Sequence, residues 1–343
     1  MKDILQNAWH ARGWLAWLLY PLSLAYGLAV LLRRALYRHH IFSSERFGVP
    51  VVVVGNVVAG GAGKTPLVIA LVKHLQAQQI PVGVVSRGYG RQGNDCLEVT
   101  PGASPSRTGD EPALIKRATS APVFVARSRT EAVRVLLAAH PATAVVVCDD
   151  GLQHYALQRD IEIAVFDDRG VGNGWLLPAG PLREAWPDRL RFDPSLVLHT
   201  GKKPAFDGFA STRQLNTHAY SASGEAVLLA GLRARPVAAL AGIANPDAFF
   251  DMLREIGLTL QTTASLPDHH DFSDQDLEGL EGCVVLCTEK DAVKLFALPQ
   301  ASRHEVLAVP LVFSPETAFF AAFDARLAPL ISPLPSGHGH QTA

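Results

Sequence analysis

Four clusters of residues in this chain have types and spacing suited to phosphoryl chemistry. In VVAGGAGKTP (57–66), Gly60, Gly61 and Gly63, with Ala62 between them, permit a backbone loop tight enough to aim its N–H groups at phosphate oxygens. Lys64 would then hold the β- and γ-phosphates. Thr65 opens the following helix, where its hydroxyl can reach Mg²⁺ and the positive end of the helix dipole favours an anion. Val58 stands where the usual G-x-x-x-x-G-K-[ST] pattern has its first glycine, so the strict pattern is broken. The apolar strand pattern before the loop and the helical pattern after it still supply the required context.

A phosphate loop needs an acidic partner at the end of a neighbouring strand to hold the metal or its water. VVVCDDG (145–151) offers Asp149 and Asp150 as a Walker B pair. Two adjacent carboxylates at a buried strand end are costly unless a cation or donors compensate them. Gln153 and His154 follow and could orient phosphate, water or metal ligands, although His154 would serve equally as a packed, hydrogen-bonded side chain. In the third cluster, Gly109-Asp110-Glu111 opens a helix after a polar loop. Asp110 is a candidate base for an alcohol and Glu111 a candidate metal ligand, the rival reading being two acids that stabilise a helix N-terminus. The fourth is LPDHHDF (266–272), where Asp268, His269, His270 and Asp271 form either a proton-handling pair or a plain surface loop. No cysteine or spaced histidine accompanies it, which argues against zinc.

These clusters need elements to position them. From Pro50 the chain alternates short β-branched runs with helical stretches, which predicts a P-loop NTPase-like α/β fold: a mostly parallel sheet with helices on both faces. PVVVVGN (50–56), PVGVVSRG (81–88), APVFVA (121–126), TAVVVCDD (143–150) and IEIAVFDD (161–168) read as strands, and Lys64 to Gln79 as a helix. Between Gly201 and Leu232 the pattern loosens into a linker or small antiparallel ribbon. A second, smaller α/β alternation follows, with PVAALAGIA (236–244), a helix from Pro246 to Ile256, the strand CVVLCTEKD (283–291) and the strand VLAVPLVFS (306–314). The expected organisation is 1–40 as a membrane-associated helical segment, 41–200 as the nucleotide-binding domain, 201–232 as linker, 233–330 as the second domain, and 331–343 as a disordered tail.

The amino-terminal segment is the compositional outlier. Gly13 to Leu32 runs for twenty residues without a charged side chain, a length of about 30 Å as a helix, matching a bilayer's hydrocarbon core. Trp9, Trp14, Trp17 and Tyr20 crowd one end, and Arg33, Arg34 and Arg38 follow the other, which would keep the next domain cytoplasmic. Pro21 and the many Ala and Gly residues favour a helix lying in the interface over one that spans, with an ordinary buried helix as a third reading. A signal peptide is disfavoured: no basic region precedes the run and no small-residue cleavage site follows.

Composition narrows the classes further. The 343 residues, 48% hydrophobic and 18% charged, suit a globular chain of two domains, and a net charge of −1 gives no basic field for nucleic acid. The four cysteines are too scattered for a disulfide framework and read as small buried hydrophobes in a reducing compartment.

The motifs GN-x-x-x-GG-x-GKTP (55–66), SRGYGR (86–91), GDEP (109–112), DDG-x-QH (149–154), LPAGPLRE (177–184), GIANP (242–246), PDHHDF (267–272) and TEKDAVK (288–294), after an apolar helix, occur in an order that resembles one family closely. That family is the tetraacyldisaccharide 4′-kinases of lipid A biosynthesis, and the resemblance covers residues 10 to about 325. It implies transfer of the ATP γ-phosphate, with Mg²⁺, to the 4′-hydroxyl of an acylated glucosamine disaccharide 1-phosphate at the cytoplasmic face of the inner membrane. It also implies two α/β domains joined by a small β linker, Asp110 as base with His269 as its partner, and Glu111 and Gln153 near metal and nucleotide. Arg183 is implied as a contact to the anionic head of the lipid, with Arg87 and Arg91 as weaker candidates. The doubled His270 leaves the histidine open by one residue. No obligate protein partner is implied. A membrane-associated switch ATPase with a protein partner is the alternative, but Ala59 stands where its signature lysine belongs. A P-loop GTPase would need an N-K-x-D order that TEKD lacks.

Overall fold

The structure is a computed structural model that describes residues 9–61, 63–187, 195–268 and 270–331. The expected loop residue Ala62, the expected dyad residue His269 and the tail from 332 onward lie outside the described residues. The strands are β1 Val51–Gly55, β2 Val82–Ser86, β3 Leu97–Glu98, β4 Val123–Val125, β5 Val145–Asp149, β6 Ile161–Phe166, β7 Ser195–His199, β8 Phe209–Leu215, β9 His218–Tyr220, β10 Ala226–Leu228, β11 Val237–Ala241, β12 Leu260–Ser265, β13 Val284–Thr288, β14 Glu305–Val309 and β15 Leu311–Pro315.

The valine-rich runs become the centre of a nine-stranded sheet of order β15-β8-β7-β6-β1-β5-β2-β4-β3, parallel except at its two edges. Every residue of β1, β2, β5 and β6 is buried, as continuous apolar runs require when both faces are covered. Val52 and Val54 face Leu67, Leu71 and Leu75 of the helix Lys64–Ala77, with Phe319 and Phe323 of the last helix. Val51 and Val53 face Ala132, Val133 and Leu136 of the helix Arg129–Ala139. Because β1 lies between β5 and β6, with Val54 in register with Asp149, the phosphate loop and the paired acids leave adjacent strand ends. The second sheet has six strands in the order β10-β9-β14-β13-β11-β12, again with a parallel centre.

Three local expectations change. VLAVPLVFS is two strands, because Pro310 has no N–H to continue the ladder. The chain leaves the second sheet there, and β15 returns to the first sheet beside β8. The loosened text from 201 to 232 does pair antiparallel, but on two sheets: β8 joins the first, and β9 with β10 edges the second. The two crossings touch where the Asn216 N–H donates to the Pro310 carbonyl at 2.8 Å. Finally, the strand expected through Asp291 stops at Thr288, whose hydroxyl accepts from the Asp291 N–H and caps a helix over Glu289–Leu295.

The apolar amino-terminal run is a helix, Trp14–Arg38, of which only Ala16, Ser23 and Gly27 are buried. It rests on residues 175–183 by its small and polar side. The Ser23 hydroxyl donates to the Leu176 carbonyl and accepts from the Ala179 N–H, each at 2.9 Å, and Tyr26 donates to the Arg183 carbonyl at 3.0 Å. Gly27 lies against Leu176, leaving no room for a side chain. Trp14, Leu18, Leu22, Leu24, Leu28, Leu31 and Leu32 face outward. Of the cysteines, Cys148 and Cys287 are buried, whereas Cys96 and Cys283 lie just before strands and are partly exposed, so burial holds for two of the four.

Candidate active site

The glycine loop takes a shape that only glycine adopts readily: Gly60 and Gly63 have φ of 100° and 82°. A side chain at Gly60 would meet Arg169 and one at Gly63 would run into Arg213. Asn56, wholly buried at the end of β1, holds the loop from beneath. Its Nδ2 donates to the Gly60 carbonyl at 2.7 Å and its Oδ1 accepts from Lys64 Nζ at 3.2 Å. Lys64 Nζ also lies 3.5 Å from Asp150 Oδ1. Asn56 stands inside the GN motif, but its side-chain role escaped sequence reasoning because an asparagine after a strand reads as a turn residue.

The adjacent acids are in contrasting environments. Asp150 is pushed up by burial, but Lys64, Arg183 and Arg129 outweigh that and hold its carboxyl below the usual range. Asp149 has no exposed surface; burial, then the charges of Glu111 and Asp150, raise its pKa to about 7 against the opposing pull of Lys64 and Arg129. Asp149 Oδ2 accepts from Ser86 Oγ at 3.3 Å, while Oδ1 is buried without a partner. A lone buried carboxylate oxygen that feels a second acid, Glu111, is a place where a hard cation belongs. Thr65, Glu111, Asp149 and Asp150 therefore fit Mg²⁺. Among the described residues no group of three His, Cys, Asp or Glu forms a metal cage; Mg²⁺ needs none, since it takes one or two carboxylates and completes its shell with water and phosphate.

Asp110 is buried at the start of its helix and reaches the cleft between the sheets. The two glycine motifs explain its placement. Gly88 and Gly109 pack backbone to backbone with φ of 66° and 90°, and a side chain on either would collide with the other loop. Across the cleft Lys294 Nζ lies 3.1 Å from Asp110 Oδ2, and it also donates to the His270 carbonyl at 3.0 Å. Lys294 was missed as a site residue: it lies beyond the strand expected over 283–291, in text with no assigned element, and only the helix Glu289–Leu295 turns it toward Asp110. His270 Nε2 is 3.1 Å from Asp276 and its ring stands edge-on to Phe272. Lys290 pairs with Asp268 at 2.8 Å and the exposed Asp271 with Lys294 at 3.4 Å. Ala244, in the GIANP loop, comes close to Gly61, so the second unit borders the phosphate loop, whose Gly60 and Gly61 stay exposed.

Gln153 sits one layer behind the loop, donating to the Asn56 carbonyl at 3.3 Å and to Glu184 Oε1 at 2.7 Å. Burial, followed by the charges of nearby arginines, lowers the His154 pKa to about 4, so its imidazole is neutral. Arg183 Nη1 lies 3.5 Å from Asp150. Arg87 is exposed, and Arg91 turns away from the acids to donate to the Asp95 carbonyl. The segment carrying Arg183 runs antiparallel to the shoulder of the loop: the Ala59 N–H donates to the Pro181 carbonyl at 2.8 Å and the Arg183 N–H to the Val57 carbonyl at 2.7 Å. The same segment receives the amino-terminal helix. A cavity of about 550 Å³ opens beside it, lined by Arg34, Tyr37, Arg38, Tyr155, Arg159 and Glu184 among others.

Proteins of known family resemble this chain along its length. The family model described as tetraacyldisaccharide-1-P 4′-kinase matches residues 15–328. A tetraacyldisaccharide 4′-kinase of Polaromonas naphthalenivorans is 70% identical over the whole of both chains, and one of Acidovorax ebreus is 54% identical over 98% of this chain and 97% of that one. A crystal structure of the Aquifex aeolicus family member LpxK, in complex with ATP, is 28% identical. It superposes with a TM-score of 0.77 over 93% of this chain and 100% of that one. The chain belongs to the tetraacyldisaccharide-1-P 4′-kinase family.

Proposed function

We propose that this chain transfers the γ-phosphate of ATP to the 4′-hydroxyl of a tetraacyldisaccharide 1-phosphate, with Asp110 taking the hydroxyl proton. The observation that carries the reading is the meeting, in one cleft, of the Asn56–Lys64 tethered glycine loop with a buried Asp110 reached by a cation from the other sheet. Lys64 and the loop N–H groups would hold the triphosphate, and Thr65, Glu111, Asp149 and Asp150 would hold Mg²⁺. When bound, Mg²⁺ neutralises charge on the phosphate oxygens. Asp110 is kept in place by Lys294, and His269 is the histidine proposed to assist it, because His270 is taken by Asp276. Gln153 supports the site through Asn56 and Glu184, and Arg183 is positioned to pass from Asp150 to an anionic head group.

The two units, one around each sheet and joined by the crossings at Asn216 and Pro310, close on the nucleotide and exclude water that would otherwise waste ATP. The amino-terminal helix is docked along its length on the first unit and offers leucines and tryptophans outward. That arrangement supports a helix lying in the cytoplasmic interface of the inner membrane, where the acyl chains are. The test is incubation of purified protein with γ-labelled ATP, Mg²⁺ and a tetraacyldisaccharide 1-phosphate, followed by locating the label. Label on the 4′ position supports the reading; label released as free phosphate whether or not the glycolipid is present overturns it. In the same assay Asp110→Ala abolishes transfer while ATP affinity stays close to that of the unaltered protein.

A further inference from the structure

Among the described residues Arg213 has no counter-ion within ion-pairing distance. It lies on β8, opposite Phe313 of β15, and its side chain reaches the glycine loop, where its guanidinium fills the space a Gly63 side chain would need. Its Nε is buried and has no hydrogen-bond partner, and among the described residues the guanidinium makes no ion pair. The negative groups whose fields reach it are Asp167 and Asp168. Both are committed elsewhere: Asp167 grips Arg169 at 2.7 Å, and Asp168 accepts the Lys203 N–H at 2.6 Å. Arg169 supplies the contrast, since it also touches the loop, donating to the Gly61 carbonyl at 3.0 Å, but has its carboxylate beside it.

A guanidinium partly withdrawn from water, with its Nε buried and unpartnered, is unfavourable unless something compensates it. Its planar fork of donors matches phosphate oxygens. Thr200, just after β7, also borders the Gly63 position, so Arg213 enters from the β7–β8 side, and β1 separates it from β5, which carries Asp149 and leads to Asp150.

We propose that Arg213 is a phosphate-binding residue of the nucleotide site, contacting the triphosphate on the side of the glycine loop opposite the metal-binding acids. The inference rests on the ATP-dependent reading above and deepens it. The same chemistry would suit the 1-phosphate of the glycolipid, but the contact inside the glycine loop favours the nucleotide.

The test measures affinities for ATP and for adenosine by calorimetry, in the full chain with Mg²⁺, for the unaltered protein, Arg213→Met and Arg213→Lys. A charged hydrogen bond to phosphate predicts that Arg213→Met weakens ATP binding by about ten- to a hundredfold and leaves adenosine binding unchanged, with Arg213→Lys between. The ratio of the two affinities decides the matter, because a folding defect lowers both together. A fall in that ratio of threefold or more in the Met variant supports the proposal, and a smaller fall overturns it. If the ratio holds while affinity for the disaccharide 1-phosphate drops, the anion is the acceptor's phosphate and the proposal is equally overturned. An unaltered protein that fails to distinguish ATP from adenosine would instead bring down the nucleotide site itself.

Discussion

Replacing Asp149 by Asn removes the most perturbed carboxyl of the site. In the folded, ligand-free protein its pKa is raised from 3.8 to about 7, by burial first and then by Glu111 and Asp150. The native state therefore binds a proton that the unfolded chain has released throughout that interval, and stability falls as pH climbs from about 4 to about 7. At ~1.36 kcal/mol per pH unit the rise converts to a cost on the order of 4 kcal/mol above pH 7, absent below pH 4. Asparagine keeps the shape and cannot ionise, so the variant escapes this cost whatever it loses in packing. Urea unfolding at pH 4, 6 and 8, with chelator and no nucleotide, isolates the effect. The stability of Asp149→Asn relative to the unaltered protein should climb with pH by several kcal/mol, and Mg²⁺ with ATP should raise stability at pH 8 in the unaltered protein more than in the variant. A difference that stays flat with pH would refute the reasoning, since it would mean that Asp149 carries no burial penalty for a cation to relieve.

Lys294→Ala takes away the ammonium that lies 3.1 Å from Asp110 Oδ2, and a hydrogen bond to a charged group is worth about 1.5–3 kcal/mol. The turnover number should therefore fall by about ten- to a hundredfold in the variant, with the ATP KM unchanged and Lys294→Arg recovering most of the loss; an unchanged turnover number contradicts the pairing. Ser23→Val deletes the bonds to Leu176 and Ala179 and should cost about 1–3 kcal/mol. Limited proteolysis without lipid should then cut the amino-terminal helix away faster than in the unaltered protein, while equal rates would show that the helix is held by its apolar contacts alone.

Much of this fold is legible in the residues because its strands are buried on both faces: VVVVG and VVVCD can be little else once a glycine loop follows the first. The phosphate loop and the paired acids are read for the same reason, since their chemistry travels with their strand ends. What is hidden are the relations between distant segments. Pro310 in VLAVPLVFS looks like a tolerated interruption, and only the pairing of β15 with β8 shows that it moves the chain from one sheet to the other. Lys294 is one of many lysines until the Thr288 cap turns strand into helix and aims it at Asp110. Arg213 sits in polar text that reads as linker, and its meaning depends on Gly63, far away in sequence. Periodicity reports which face of an element is apolar and is silent about which charges will face each other across a cleft.

The most direct measurement of the central claim is made on Lys64→Met, which keeps the apolar stem of the side chain and removes the charge held between Asn56 and Asp150. Nucleotide affinity and phosphate transfer to the glycolipid should both collapse in that protein at a temperature where circular dichroism shows it folded. Transfer at the ordinary rate with nucleotide still bound would contradict the whole arrangement.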